Sequence, residues 1–136
     1  MNHASTFATA RFSSAGIVWI KLSVIYLVAG IVMGIGMGAA EDFTLRPVHA
    51  HINLIGWATL ALAGLIYSVF PQAAHSRLAK IHFWLYNLGT PLMLATLTAF
   101  LLGYKQVLPA MVIAEFTVAA AILAFAANML MNLKPE

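Results

Sequence analysis

Apolar and polar positions divide the chain into four long apolar stretches joined by short polar links. The first runs from about Ile17 to Ala40 and carries a single charge, Lys21, near its start. The second, about Val48 to Phe70, has no Lys, Arg, Asp or Glu after Arg46. The third, about Lys80 to Leu102, is uncharged beyond its first residue, and the fourth, about Val107 to Leu133, holds one acid, Glu115. Each reaches the ~20 residues that an α-helix needs to cross a bilayer. A backbone in hydrocarbon must satisfy its own amides, which leaves helices or a closed barrel. The long runs without period-2 alternation argue against the barrel. Because the links (41–47, 71–78 and 103–106) are short, successive helices are expected to alternate in direction. The chain 1–136 is therefore expected to be one all-α integral membrane domain, an up-down bundle with helices at about 17–40, 48–70, 80–102 and 107–133.

Composition sharpens this picture. Apolar residues make up 62% of the chain and charged residues only 8%, with a mean hydropathy of +0.92, which leaves too little polar surface to coat a soluble globule. The net charge of +3 comes from cations scattered singly, so no run tracks a phosphate backbone and no nucleic-acid partner is expected. Cysteine is absent, which removes disulfides, thiolate metal sites and iron–sulfur clusters. With the N-terminus in the cytoplasm, Arg11, Lys21, Arg77, Lys80 and Lys134 fall inside, whereas Arg46, Lys105, Glu41 and Asp42 fall outside. That distribution satisfies the positive-inside rule and places both termini in the cytoplasm. The first stretch exceeds the ~7–15 residues of a signal-peptide core and contains Lys21 and Tyr26, so it reads as a span and not as a cleaved leader. Gly30, Gly34 and Gly38 recur every fourth residue along it, a spacing that lets a neighbouring helix approach closely.

His49 and His51 carry the chemistry. Residues two apart on an α-helix point about 200° apart. They cannot chelate one metal together or hold both faces of one haem. If both are ligands, each serves a separate site on an opposite flank of the same helix. Glu115 falls about two turns into the fourth helix, at a depth near that of the histidines, and a buried acid there needs a partner or a proton. Hydrogen bonding to Asn53, Asn87 or Trp57 is favoured over proton transfer. His82 lies beside Trp84 and Tyr86 at the inner end of the third stretch and reads as part of an interfacial aromatic belt. His75, among Ser76, Arg77 and Lys80, reads as solvated. Pro91 is expected to kink the third helix, with Thr90, Thr96 and Thr98 bonding the freed carbonyls. The seven methionines show no ligand-like repeat and read as packing, so no copper is expected.

His49-Ala50-His51, followed by Gly56, Gly64-Leu65-Ile66-Tyr67 and Phe70-Pro71, resembles the tenth helix of the haem-copper oxidase catalytic subunit. Leu78-Ala79-Lys80-Ile81-His82-Phe83-Trp84-Leu85-Tyr86-Asn87-Leu88-Gly89 resembles the start of its eleventh, so the likeness covers residues 46 to about 92. It implies that His49 binds one haem and His51 another, near the outer side, with Arg46 and Lys105 facing haem propionates. The copper ligands, the redox tyrosine and the partner histidine of that family come from helices that have no counterpart here, so no oxygen-reducing centre can be assembled from this chain. The family's twelve helices form three arcs of four. One arc per chain implies a homotrimer with a bis-histidine haem b at each subunit interface, one per protomer, built from His51 of one copy and His49 of the next. A twofold dimer pairing His51 with its own copy would instead hold one haem per two chains. The expected activity is electron transfer or redox or gas sensing by a membrane-bound b-type cytochrome of the bacterial inner membrane, with a quinol or a cytochrome as electron partner. Two alternatives stand beside it: a haem enzyme with a labile ligand acting on nitric oxide, oxygen or quinol, and a non-redox accessory or assembly subunit of an oxidase.

Overall fold

The computed structural model describes residues 13–133, and Arg11, Lys134 and His3 lie outside the described residues. It is all-α, with no strand among those residues. Four rods account for nearly everything: α1 (Ser14–Ala40); a second rod made of α2 (Arg46–His51), a π-helical stretch (Ile52–Thr59) and α3 (Leu60–Val69); α5 (Arg77–Leu101); and α6 (Leu108–Asn132). The short α4 (Pro71–Ala74) and a 3-10 turn (Lys105–Val107) serve as connections. By length and composition the segments Ser14–Ala40, Arg46–Val69 and Lys105–Asn132 can cross a membrane. The remaining rod, α5, is of similar length. Its apolar run is broken by Lys80, His82, Asn87 and three threonines, and it contributes His82, Thr90 and Thr96 to the polar interior.

The rods end where local chemistry ends them. Ser13 caps α1 by accepting from Gly16 N at 3.1 Å, and Ser76 caps α5 by accepting from Ala79 N at 2.9 Å. At the far end of α1 the chain turns through Glu41 in the left-handed region (φ 51), with Asp42 N bonded back to Met37 O at 3.2 Å. Asp42 Oδ1 then accepts from the amide and the hydroxyl of Thr44 at 2.9 and 2.7 Å, which holds its carboxyl below the usual range. Pro47 sits in the first turn of the second rod, where its missing N–H costs nothing. Gly103, at φ 100, makes the turn after α5 that a side chain would strain.

Packing follows chain order. The strongest associations are between α1 and the second rod and between α5 and α6, whereas α1 and α6 meet at most marginally. Glycines set the first association. A methyl group at Gly16 would stand 2.6 Å from Gly64 O, one at Gly56 2.6 Å from the Tyr26 ring, and one at Gly30 2.7 Å from Asn53 Oδ1. Gly36 and Gly38 have open space, so the glycine repeat acts as a packing surface at Gly30 and Gly34 but not at Gly38. The outer surface is apolar, with Ile25 65% and Leu123 70% exposed, as suits a bilayer.

Pro91 lies inside α5, and the helix runs through it without interruption. Thr96 and Thr98 bond the carbonyls of Leu92 and Leu94 one turn below themselves, and Thr90 Oγ1 is buried with no partner. The threonines therefore do not serve the carbonyl of Asn87, which Pro91 leaves free. Each satisfies its hydroxyl on its own turn, or not at all.

Candidate functional site

His49 and His51 lie in the α-helical opening of the second rod, so they leave it on opposite flanks, as their spacing requires. His49 turns toward α1. A methyl group at Gly34 would be 3.0 Å from its Cε1, so the missing side chain is what seats the ring. Asn53, one turn on, donates to His49 O at 2.8 Å, and its Nδ2 stands 3.4 Å from each ring nitrogen. His51 is fastened differently. Its Nδ1 lies 2.7 Å from Pro47 O. A carbonyl can only accept, so Nδ1 carries a proton, and in the neutral ring the lone pair then falls on Nε2. Both rings are half-buried in the single chain.

The stretch that follows is π-helical, with Thr59 Oγ1 donating to Leu54 O, five residues back, at 2.8 Å. Tyr86 of α5 donates to Ile55 O inside it at 3.0 Å. Hydropathy reads these residues as continuous α-helix, because apolar periodicity cannot resolve a local change of pitch.

The other candidates are more dispersed. Arg46 is exposed at the first residue of the second rod. Lys105 folds back on its own hairpin, with Nζ 3.1 Å from Phe100 O and 3.8 Å from the centre of the Phe100 ring. It caps the carbonyl end of α5 there. Glu115 turns away from the interior of the chain. It is exposed on α6 between Ile113 and Phe116, which are 64% and 72% exposed, so it is not buried within the chain. Two of its three expected partners are engaged elsewhere, Asn53 with His49 O and Asn87 with Phe83 O at 2.9 Å. No group of three or more His, Cys, Asp or Glu residues able to hold a metal occurs among the described residues.

A second constellation sits at the opposite, basic end, where α1 starts, α3 ends, α5 starts and α6 ends. His82 is not in an interfacial belt. It is 1% exposed and stacked on Trp19 (centroids 4.4 Å apart, planes at 25°), with Tyr86 and Phe125 also against it. Its Nδ1 lies 3.0 Å from the Tyr67 hydroxyl, which also accepts from Asn128 Nδ2 at 3.3 Å. Asn128 Oδ1 in turn accepts from Ser76 and Asn132, both at 2.7 Å. The hydroxyl proton of Tyr67 has one place to go, His82 Nδ1, so the imidazole N–H falls on Nε2, which is buried without a partner. Local sequence hides this arrangement, because Trp84 and Tyr86 flank His82 as a belt would. The available signal is the spacing of His82, Tyr86 and Thr90 at i, i+4 and i+8, a polar stripe on one face of an otherwise apolar helix. His75 is exposed, as a solvated loop residue should be. Comparison with family models, with curated proteins and with solved structures finds no match to this chain.

Proposed function

We propose that this chain is a small b-type cytochrome of a bacterial-type inner membrane, in which His51 and His49 each bind a haem iron on opposite flanks of the second rod. The carrying observation is the His51 hydrogen bond to Pro47 O, which leaves Nε2 as a free donor atom on a half-buried ring. Haem-ligating imidazoles are commonly held in this way, with one nitrogen bonded to a carbonyl and the other on the metal. His49 suits the role less firmly: its ring is seated by the absence of a side chain at Gly34 and has only the 3.4 Å approach of Asn53.

Opposed histidines give one ligand to each of two sites, so the second axial ligand must come from another copy. The resemblance of residues 46 to about 92 to the tenth and eleventh oxidase helices supports a ring of three, with one haem b per protomer. The sequential packing of the rods, with α1 and α6 hardly touching, suits a four-helix arc within such a ring. A bis-histidine haem supplies one-electron chemistry and leaves no open iron position, which favours electron transfer or redox sensing over turnover. The chain's own part is to hold the two rings, to exclude water with its apolar exterior, and to place Arg46 beside the site as a cation for a carboxylate. Glu115, on the lipid- or partner-facing side of α6, is an acid that a neighbouring copy would have to cover.

An optical spectrum of purified protein tests the reading. A Soret band with sharp reduced α and β bands is expected at one haem per chain, abolished by His51→Ala and by His49→Ala. Colourless protein from haem-replete cells refutes it, and one haem per two chains refutes the ring. The looser hold on His49 gives the labile-ligand alternative its own test, a spectral shift when carbon monoxide meets the reduced protein.

A further inference from the structure

At the basic end the start of α1 and the start of α5 do not close on each other. Between them is a cavity of about 370 Å³ that opens to the surface. Its walls are aromatic and apolar, with Trp19 and Tyr67 at its depth and Phe83 and Trp84 along its side, and Lys80 and His75 stand at its rim. Trp84 is 62% exposed and Trp19 only 2%, so the cavity runs from the bilayer-facing surface inward to the buried core. At roughly 30 Å³ for a water-sized group, it holds on the order of a dozen methylenes, part of one acyl chain.

Charge identifies the headgroup. Around this end the described residues carry Lys21, Arg77 and Lys80. The only described carboxylates, Glu41, Asp42 and Glu115, belong to the turn at the far end and to the outer face of α6. A slot of hydrocarbon character with a lysine at its mouth, on a surface without acids among the described residues, complements an anionic amphiphile. We infer that this cavity binds the acyl chain of an anionic phospholipid whose phosphate is held by Lys80, with His75 as a second polar contact. The inference is independent of haem, since the cavity lies at the opposite end of the bundle from His49 and His51.

Trp19 makes the test specific. The chain has three tryptophans, at positions 19, 57 and 84. In the full-length Trp57→Phe/Trp84→Phe variant, Trp19 is the sole reporter, and its burial among the described residues leaves the cavity as its approach for lipid. The protein is reconstituted in vesicles with bromine on the acyl chains of either phosphatidylglycerol or phosphatidylcholine, at fixed total composition. Brominated phosphatidylglycerol is expected to occupy the slot with roughly fivefold preference, the equivalent of about 1 kcal/mol for one cation near a membrane surface. Adding Lys80→Gln and His75→Gln should bring the two headgroups level, and Ala15→Leu, which fills the slot, should protect Trp19 from both. Equal quenching by the two lipids in the parent overturns the headgroup assignment, and with it the proposal. No quenching by either shows the slot closed to lipid or filled by another part of the protein, and also overturns it.

Discussion

Removing the Tyr67 hydroxyl tests the buried polar chain at the basic end most directly. In Tyr67→Phe the ring keeps its tilted contact with Trp19 at 6.0 Å and its edge-on contact with Phe125 at 5.7 Å, so packing is little disturbed. The loss is polar: His82 Nδ1 loses its partner at 3.0 Å while Nε2 already has none, and Asn128 keeps only Ala73 O for its Nδ2, at 3.0 Å. Leaving a buried group unsatisfied costs about 1–3 kcal/mol in water-soluble cores. Inter-helix hydrogen bonds in membranes average about 0.6 and reach about 1.7 kcal/mol, because the dissociated helices find other partners. The membrane figure governs the pair, so Tyr67→Phe should destabilise by about 1–2 kcal/mol. His82→Phe alone should cost a similar amount by stranding the hydroxyl, with some crowding of Trp19 from the larger ring. The double variant removes both polar partners and should cost less than the sum of the singles, with a coupling of about 0.6–1.7 kcal/mol. The assay is reversible unfolding in mixed detergent and SDS micelles, followed by circular dichroism. Additive costs, with coupling indistinguishable from zero, would refute the hydrogen-bonded pairing of His82 and Tyr67.

Two further predictions concern geometry and pH. Gly16→Ala places a carbon 2.6 Å from Gly64 O and 2.8 Å from Ser68 N, backbone atoms that cannot rotate away, so α1 must lift from α3. A cost of about 1–3 kcal/mol is expected from such overpacking. Gly36→Ala, with nothing within 4 Å, should leave the unfolding midpoint unchanged or raise it slightly; a parallel melt of the two variants checks both. Asp42, whose acidity the Thr44 hydrogen bonds increase, should contribute stability that is complete above the ordinary carboxylate pKa and lost as pH falls through its lower folded value. The stability difference between the parent and Asp42→Asn should therefore shrink as pH is lowered below about 4, and a difference that grew instead would contradict the hydrogen bonds of the turn.

Much of the architecture is legible in the chain because bilayer physics leaves few choices. Uncharged runs of ~20 residues must be helices. The opposed directions of His49 and His51 follow from helical pitch alone. What stays hidden is which face of each helix meets protein. In a soluble helix, polarity marks the outside. Here Val112, Ile113 and Phe116 beside Glu115 are as apolar outside as α1 is inside, so depth along the helix could be read for Glu115 but not direction. The burial of His82 is hidden for the converse reason: its aromatic neighbours in sequence resemble a membrane interface, while the ring that buries it, Trp19, belongs to a distant part of the chain. The π-helical stretch leaves no trace in hydropathy at all.

Ser13, besides capping α1, donates to Tyr67 O at 2.7 Å, and Ser76, besides capping α5, reaches Asn128. With Tyr67, His82 and Asn128 these residues supply, among the described residues, every hydrogen bond between distant rods except the Tyr86–Ile55 bond near mid-bundle. The four rods are thus pegged together at one mouth, while at the other they rest against each other through bare glycine and side-chain contact. Such a body can splay at its unpegged mouth without rupturing a single inter-rod bond. That mouth is the one that carries His49 and His51, so whatever seats itself there meets the more compliant half of the molecule.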